Sequence, residues 1–397
     1  MKNEDVFAQS APLLEKLEQA GFEAYYVGGA VRDYLLKRPI GDVDIATSAT
    51  PEEVKTVFAK TVDVGIEHGT VLVLWKGDGY EITTFRTESD YKDYRHPETV
   101  SFVRSLTEDL QRRDFTMNAI AMDRLGRIID PFNGQEALVN KQIQTVGEAS
   151  ERFSEDALRM MRAARFVSQL GFGLHADTAA ALKKHASLLQ HIAIERKLNE
   201  IEKLFAGANK HNGMEVLMEA GLLTYLPGLT DKKAVIEKLL SFSIDPLSSN
   251  QMWLLLLRLL NPSSPKAFLS EWRMPAQKIK YVTRALQLVD KRDTHHWSAF
   301  FLYEAGMESA IDVEIVHALL HGREAEVEKL SEQYAELPIK QLSELAISGK
   351  DLLAWKQEKG GPWMKQYLAE VECAVVERKI ENSKEKIKEW LESCNLL

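Results

Sequence analysis

The sequence predicts an α+β chain: an N-terminal mixed β-sheet head over residues 1–147, followed by an all-helical remainder. Three observations carry that reading. Before residue 150, short runs rich in Val, Ile, Tyr and Thr alternate with Gly-containing turns. Beyond it, apolar residues recur at helical spacing from Ser154–Leu170 through to Glu381–Leu391. The whole is 45% hydrophobic and 27% charged, a soluble globular composition that excludes collagen-like and disordered classes.

The head is expected to hold five strands. Ala24–Val27 is aromatic and β-branched and runs into Gly28-Gly29. Asp42–Ala46 alternates acidic and apolar residues, and Val71–Trp75 alternates Val with Leu. Tyr80–Arg86 and Thr116–Met122 complete the set. In the helical part, Ser154, followed by an acidic pair and Leu158, marks a helix N-terminus. Pro227, Pro246, Pro262, Pro265, Pro275 and Pro338 punctuate the helices after it, and no fixed-period repeat is present. The apolar stretch Met252–Leu260 is interrupted by Arg258 and is far too short to span a membrane. The N-terminal MKNEDVFAQS is acidic and polar, so no signal peptide is expected, and the cytoplasm is the expected compartment. Cys373 and Cys394 offer neither a disulfide framework nor metal-ligand spacing.

With 397 residues, the chain exceeds one ordinary domain. Fifty Lys and Arg against 59 Asp and Glu give a net charge of −9. A site for nucleic acid or nucleotide therefore requires basic side chains gathered on one face.

The chemistry concentrates in the head. Gly28-Gly29 between strand and helix lets backbone N–H groups approach an anion, and Arg32 can add a charge-assisted bond to a phosphate. Alone, such a pair is more often just a tight turn. On a strand, Asp42 and Asp44 project from one face while Val43 and Ile45 face the core. Two carboxylates side by side repel unless a cation neutralises them, and hard oxygen ligands without His or Cys favour Mg²⁺. Glu81 is a third carboxylate for that site or an exposed strand residue. Arg113 suits phosphate binding, while Asp114 and Asn118 lock the local backbone or contact a ribose.

Taken together, Gly28-Gly29-x-Val31-Arg32-Asp33, Asp42-x-Asp44 and Arg112-Arg113-Asp114-Phe115-Thr116-x-Asn118-Ala119 resemble the class II tRNA nucleotidyltransferases, the CCA-adding enzymes and their poly(A) polymerase relatives. The resemblance continues through Asp130-Pro131-Phe132-x-Gly134, Glu155-Asp156-x-x-Arg159-x-x-Arg162-x-x-Arg165-Phe166, and Glu195-Arg196 with Glu200. It implies a nucleotidyltransferase head, a helical neck over 148–207, a helical body over 208–304 and a tRNA-binding tail over 305–397. The implied reaction is template-independent addition of C, C and A to the tRNA 3′ end from CTP and ATP, with diphosphate released. By the same resemblance, catalytic Asp42 and Asp44 hold Mg²⁺, and Gly29, Arg32 and Arg113 bind the nucleotide. Asp156 and Arg159 read the base, and Arg162 and Arg165 help hold the nucleotide. The expected partners are tRNA, at its 3′ end and acceptor region, with CTP and ATP; a homodimer is an open expectation and no membrane is involved.

Elementary hydrogen bonding rationalises the base choice. A carboxylate accepts and a guanidinium donates, which complements the amino donor and ring-nitrogen acceptor of cytosine and adenine. Uracil and guanine present the reverse order and would leave buried groups unpaired.

The rivals are an A-adding enzyme, a CC-adding enzyme, a poly(A) polymerase and an inactive tRNA-binding protein. Val64–Val71 resembles the CCA-adding form, and Thr87–Glu98 matches the flexible loop that CC-adding relatives lack. Elsewhere, His317 and His321 are spaced for a metal on one helix, but no third ligand is evident. Trp253, Trp272, Trp297, Trp355, Trp363 and Trp390 read as core anchors, and Lys384, Lys386 and Lys388 as a solvated face or a contact to the tRNA backbone.

Overall fold

Residues 3–91 and 97–397 are described by a computed structural model. The chain forms two compact units: Met1–Leu240 with Ile244–Pro246 and Glu271–Arg273, and Ser241–Ser243 with Leu247–Ser270 and Met274–Leu397. The expected head and neck lie within the first unit, and the interval 208–304 is divided between the two.

The first unit is built on a seven-stranded sheet. In chain order, the strands are β1 (Ala24–Val27), β2 (Asp44–Thr47), β3 (Thr61–Gly65), β4 (Thr70–Trp75) and β5 (Asp78–Thr84). A separate hairpin, β6 (Arg86–Tyr91) and β7 (Pro97–Phe102), precedes the short β8 (Ala121–Met122) and β9 (Ile128–Ile129). The spatial order is β3-β4-β5-β2-β1-β8-β9. Only the central β2–β5 pair is parallel, with Asp44 opposite Glu81 and Ile45 opposite Ile82. Under the sheet, Val27, Ala46, Phe85, Leu106, Leu110, Ala119, Ala121 and Val146 form one buried cluster.

Five helices support the sheet: α1 (Asn3–Gln19), α2 (Gly29–Leu35), α3 (Pro51–Val57), α4 (Leu106–Gln111) and α5 (Gly134–Val139). Four more follow it: α6 (Ala149–Glu155), α7 (Leu158–Leu170), α8 (Ala176–His185) and α9 (Ile194–Phe205). Helix α1 inserts Leu13, Leu14 and Leu17, all fully buried. A capping box between Thr50 and Glu53 starts α3.

Several sequence expectations need correction. Strand pairing begins at Asp44, so Asp42 and Val43 precede the strand instead of opening it. The expected strand Thr116–Met122 is half turn: Thr116–Asn118 form a 3-10 turn, and only Ala121–Met122 pair. The Asn118 amide donates to Asp114 Oδ1 at 3.0 Å, closing that turn where propensity favoured extension. Ser154 lies inside α6, its hydroxyl donating to Ser150 O, and the helix break falls at Asp156. The edge strand β3 was missed, although Thr61-Val-Asp-Val alternates visibly. Of the expected loop Thr87–Glu98, Thr87–Tyr91 are strand β6 and Pro97–Glu98 begin β7, while residues 92–96 lie outside the described residues.

One motif of the resemblance has a structural explanation. Asp130 accepts from the Gly134 and Gln135 amides at 2.7 and 2.8 Å, starting α5. A Cβ on Gly134 would stand 2.3 Å from Thr116 O and 2.5 Å from Ile120, so α5 fits against the 116–120 turn only because that side chain is absent. Gly134→Ala is expected to cost about 1–3 kcal/mol by overpacking. Urea unfolding checks this, and an unchanged midpoint would show that the contact yields freely.

The second unit is helical, from Ser249–Leu260 to Lys384–Ser393. Ser248 and Gln251 form the capping box that begins it. Trp253 and Trp272 are fully buried anchors, whereas Trp297, Trp355, Trp363 and Trp390 are only half-buried. Lys384, Lys386 and Lys388 each pair with a carboxylate, Asp351, Glu389 and Glu392. No helix among the described residues is long and apolar enough to cross a membrane.

The His pair has the acidic neighbour that the sequence did not reveal. Asp293, His317 and His321 bring one ligand atom each within 4.8 Å of the others. Arg323 Nη2, however, lies 2.7 Å from His317 Nδ1 and donates to it. Burial, then the charges of His321, Arg292 and Arg323, hold His317 down at about 4, so the ring is neutral. Its proton therefore sits on Nε2, facing Asp293 at 3.4 Å, and that nitrogen has no lone pair for a metal.

Candidate active site

The site lies in a cavity of about 800 Å³ in the first unit. Its lining carries nine Lys or Arg and six Asp or Glu, in a chain whose net charge is −9. The basic side chains are gathered on one face. Each residue expected to act in catalysis or nucleotide binding lines this cavity: Gly29, Arg32, Asp42, Asp44, Arg113, Asp156, Arg159, Arg162 and Arg165.

One wall comes from the sheet. Strand β1 ends at Gly28, whose φ of +68° is reserved in practice for glycine. A Cβ there would stand 3.1 Å from Arg113 Nη1 and 3.7 Å from Asp44 Oδ2, so the bare glycine lets these two groups converge. Asp44 stands opposite Glu81 across the parallel pair, and Asp42 precedes it on the same wall. Val43 and Ile45 are buried behind them, as expected. Crowding by protein raises the Asp44 carboxyl above its ordinary range; Arg113 opposes the shift, and Glu81 and Asp42 reinforce it.

The arginines are held individually. Arg32 pairs with Asp33 at 3.0 Å and donates to Asn118 Oδ1 at 2.7 Å. The buried Asp109 carboxylate binds Arg112 at 2.8 Å and Arg113 at 3.1 Å. Sequence reasoning missed this anchor, although its i, i+3 and i, i+4 spacing was available as a signal. Arg113 Nε is buried without a hydrogen-bond partner in the protein. Arg162 contacts Asp114 at 2.6 Å, and Arg165 contacts Glu200 at 2.6 Å and Gln169 at 2.9 Å. Lys203, also missed, lines the same cavity.

The helix break shapes the opposite wall. Asp156 is extended (φ −133°, ψ 102°) between α6 and α7, and its carboxylate accepts from the Leu158 amide at 3.0 Å. Arg196 of α9 holds the same carboxylate at 2.8 and 3.4 Å. Because Asp156 lies outside α7, it does not follow the helical phase of the three arginines, and it shares one cavity with Arg165. Arg159 forms the i, i+4 pair with Glu155 at 2.5 Å and donates to the carbonyls of Arg152 and Arg112 at 3.1 and 3.0 Å. It is thus both an ion-pair residue and part of the cavity wall.

Electrostatics of this kind leave a mark on stability. Burial alone would raise the Asp114 carboxyl, but Arg162, the Asn118 amide and Arg159 outweigh it and hold it at about 2. Glu314 in the second unit is likewise penalised by burial, yet Arg323 and the Trp297 N–H bring it to about 2. A carboxylate lowered in the folded state stabilises above its ordinary pKa and loses that contribution as protons bind. Stability should therefore fall between pH 4 and pH 2 as these carboxylates bind protons, after an earlier fall between about pH 6.5 and pH 4 from His317, whose ring the fold keeps neutral down to about 4. Melts across this range check the slope, and Asp114→Asn is expected to flatten part of it.

Comparison with known proteins places similarity along the whole chain. The Poly A polymerase head domain family matches residues 24–144. The probable RNA and SrmB-binding site of polymerase A matches 171–233, and the putative tRNA nucleotidyltransferase domain 2 matches 245–391. A CCA-adding enzyme of Geobacillus sp. (strain WCH70) is 49% identical over 395 residues, 98% of each chain. One from Listeria monocytogenes serotype 4a (strain HCC23) is 48% identical over 98% of each. Among solved structures, that of the Bacillus stearothermophilus CCA-adding enzyme in complex with CTP superposes with a TM-score of 0.88 at 46% identity, covering 98% of this chain and 97% of that one.

Proposed function

From the premise that this chain belongs to the CCA-adding enzymes, we propose which of its residues carry the family's reaction. The activity is template-independent nucleotidyl transfer: C, C and A are added to the 3′ end of tRNA from CTP and ATP, and diphosphate leaves. The observation that supports the assignment best is one cavity uniting an acidic wall with an arginine-rich wall.

Asp42 and Asp44 are the catalytic carboxylates and hold a divalent cation, Mg²⁺ by the hardness of an all-oxygen donor set. The fit rests on Asp44, whose proton affinity is raised partly by Glu81 and Asp42; a cation between such groups relieves their repulsion. A bound Mg²⁺ supplies charge neutralisation at the attacking 3′-hydroxyl and the α-phosphate. Gly29 and Arg32 receive the nucleotide's phosphates with Arg113, whose guanidinium Asp109 anchors beside Gly28 and Asp44. Asp156 and Arg159 read the base edge, and Arg162 and Arg165 complete the nucleotide's seat. The same Arg159 guanidinium also donates to Glu155 and to the carbonyls of Arg152 and Arg112, which fix its place in the cavity wall. The tail, 305–397, is the tRNA-binding part, and the cytoplasm, where tRNA matures, is its compartment.

The test is 3′ end-group analysis of tRNA lacking CCA after incubation with CTP and ATP, with and without a chelator. The expected product ends in CCA, and chelation stops its formation. Termination at CC, extension only of a CC-ended primer, or a long A tract would assign the chain to the CC-adding, A-adding or poly(A) activity instead.

A further inference from the structure

Phe166 lies at the centre of the arginine wall and is itself almost fully buried. Three guanidiniums approach its ring: Arg165 at 4.0 Å from the centroid, Arg32 at 5.3 Å and Arg162 at 5.6 Å. These arginines come from different elements, Arg32 from α2 beside the sheet, Arg162 and Arg165 from α7. Phe115, packed edge-on at 5.7 Å and 86°, fixes the plane of the ring.

Three like charges around one ring repel each other. Asp33, Asp114 and Glu200 each form a direct ion pair with one of them, and the charges of Asp114 and Glu200 also act on both Arg162 and Arg165. The ring, in contrast, lies within 5.6 Å of all three guanidiniums. An aromatic face attracts a guanidinium electrostatically, and most strongly where water is excluded. A leucine of similar bulk would fill the space without offering that attraction.

We propose that Phe166 is a positioning residue whose π face holds Arg32, Arg162 and Arg165 as a preassembled cluster for the phosphates of the incoming nucleotide. The proposal rests on the reading above that these arginines bind the nucleotide. Held against the ring, the three guanidiniums are oriented donors that the nucleotide does not have to gather. The ring touches no reacting atom. Its effect is felt in nucleotide affinity, equally for CTP and ATP, because both carry the same triphosphate.

The test replaces Phe166 in the full-length protein with 4-fluoro-, 3,5-difluoro- and 3,4,5-trifluorophenylalanine. This series weakens the π face stepwise at nearly constant shape. Steady-state addition to tRNA ending in C or CC gives KM for CTP and ATP, KM for tRNA and kcat, and a melt gives Tm. The expected KM for both nucleotides rises at each step, reaching about tenfold at the trifluoro variant. Meanwhile kcat, the KM for tRNA and Tm stay near those of the unsubstituted protein, and Phe166→Leu matches or exceeds the trifluoro effect on nucleotide KM. A flat KM series overturns the proposal and leaves Phe166 as packing, whatever Phe166→Leu does to Tm. A rise confined to the KM for tRNA overturns it in favour of the primer's phosphates. Failure of the unsubstituted protein to incorporate either nucleotide would instead overturn the parent reading.

Discussion

Asp44→Ala is expected to abolish both C and A addition, lowering kcat by about a thousandfold or more, while tRNA binding stays largely intact. The size follows from what the carboxylate does. Several kcal/mol of charge stabilisation at a phosphoryl centre is typical of a bound divalent cation, and each 1.36 kcal/mol is a factor of about ten in rate. Asp44 is the member of the acidic wall fixed by strand pairing, between Val27 and Glu81. Asp42→Ala should act in the same direction. The alternative, in which these residues are a solvated strand edge, predicts near-normal turnover. Removal of Asp44 also takes away the charge facing Arg113, so an increased affinity for inorganic diphosphate would be consistent with the assignment. A variant keeping half the normal turnover would refute it.

What could be read from the sequence divides along physical lines. The Gly-Gly turn and the arginine triplet were legible because each rests on local chain geometry, a positive φ and helical spacing; the acidic pair was legible by its chemistry, although Asp42 precedes the strand that was expected to hold it. Anchoring was less legible. Asp109, Asn118 and Glu200 hold Arg113, Arg32 and Arg165 through contacts that the fold creates, and only Asp109 left a spacing signal. The helix boundary was misplaced for a related reason. Ser154 has the propensity of a cap, but Asp156 is the residue that Arg196 holds in an extended conformation. A tertiary ion pair overrode a local preference. The tail histidines show the converse: their spacing suggested a metal, and the arginine that forbids it, Arg323, became visible only with the fold.

The same tertiary contacts sharpen the test of base reading at Asp156. If Asp156 and Arg159 present an acceptor and donors to the base edge, Asp156→Asn should change which nucleotide is used. The amide adds a donor able to meet the O4 carbonyl of uracil, while Arg159 still faces the uracil N3–H with another donor. Acceptance of UTP is therefore partial and the overall rate is lower. The expected loss of CTP-over-UTP discrimination is about 1–3 kcal/mol in kcat/KM. A fall in Tm alone decides nothing here, because Asp156 also accepts from the Leu158 amide and pairs with Arg196. Asparagine keeps the first of these bonds and weakens the second. Arg196→Gln supplies the matching control: it removes the same ion pair but leaves the carboxylate, so it should lower Tm without admitting UTP. Single-turnover incorporation of all four nucleotides by both variants separates the roles. An unchanged CTP:UTP ratio in Asp156→Asn, with Tm lowered as in Arg196→Gln, would confine Asp156 to starting α7 and pairing with α9.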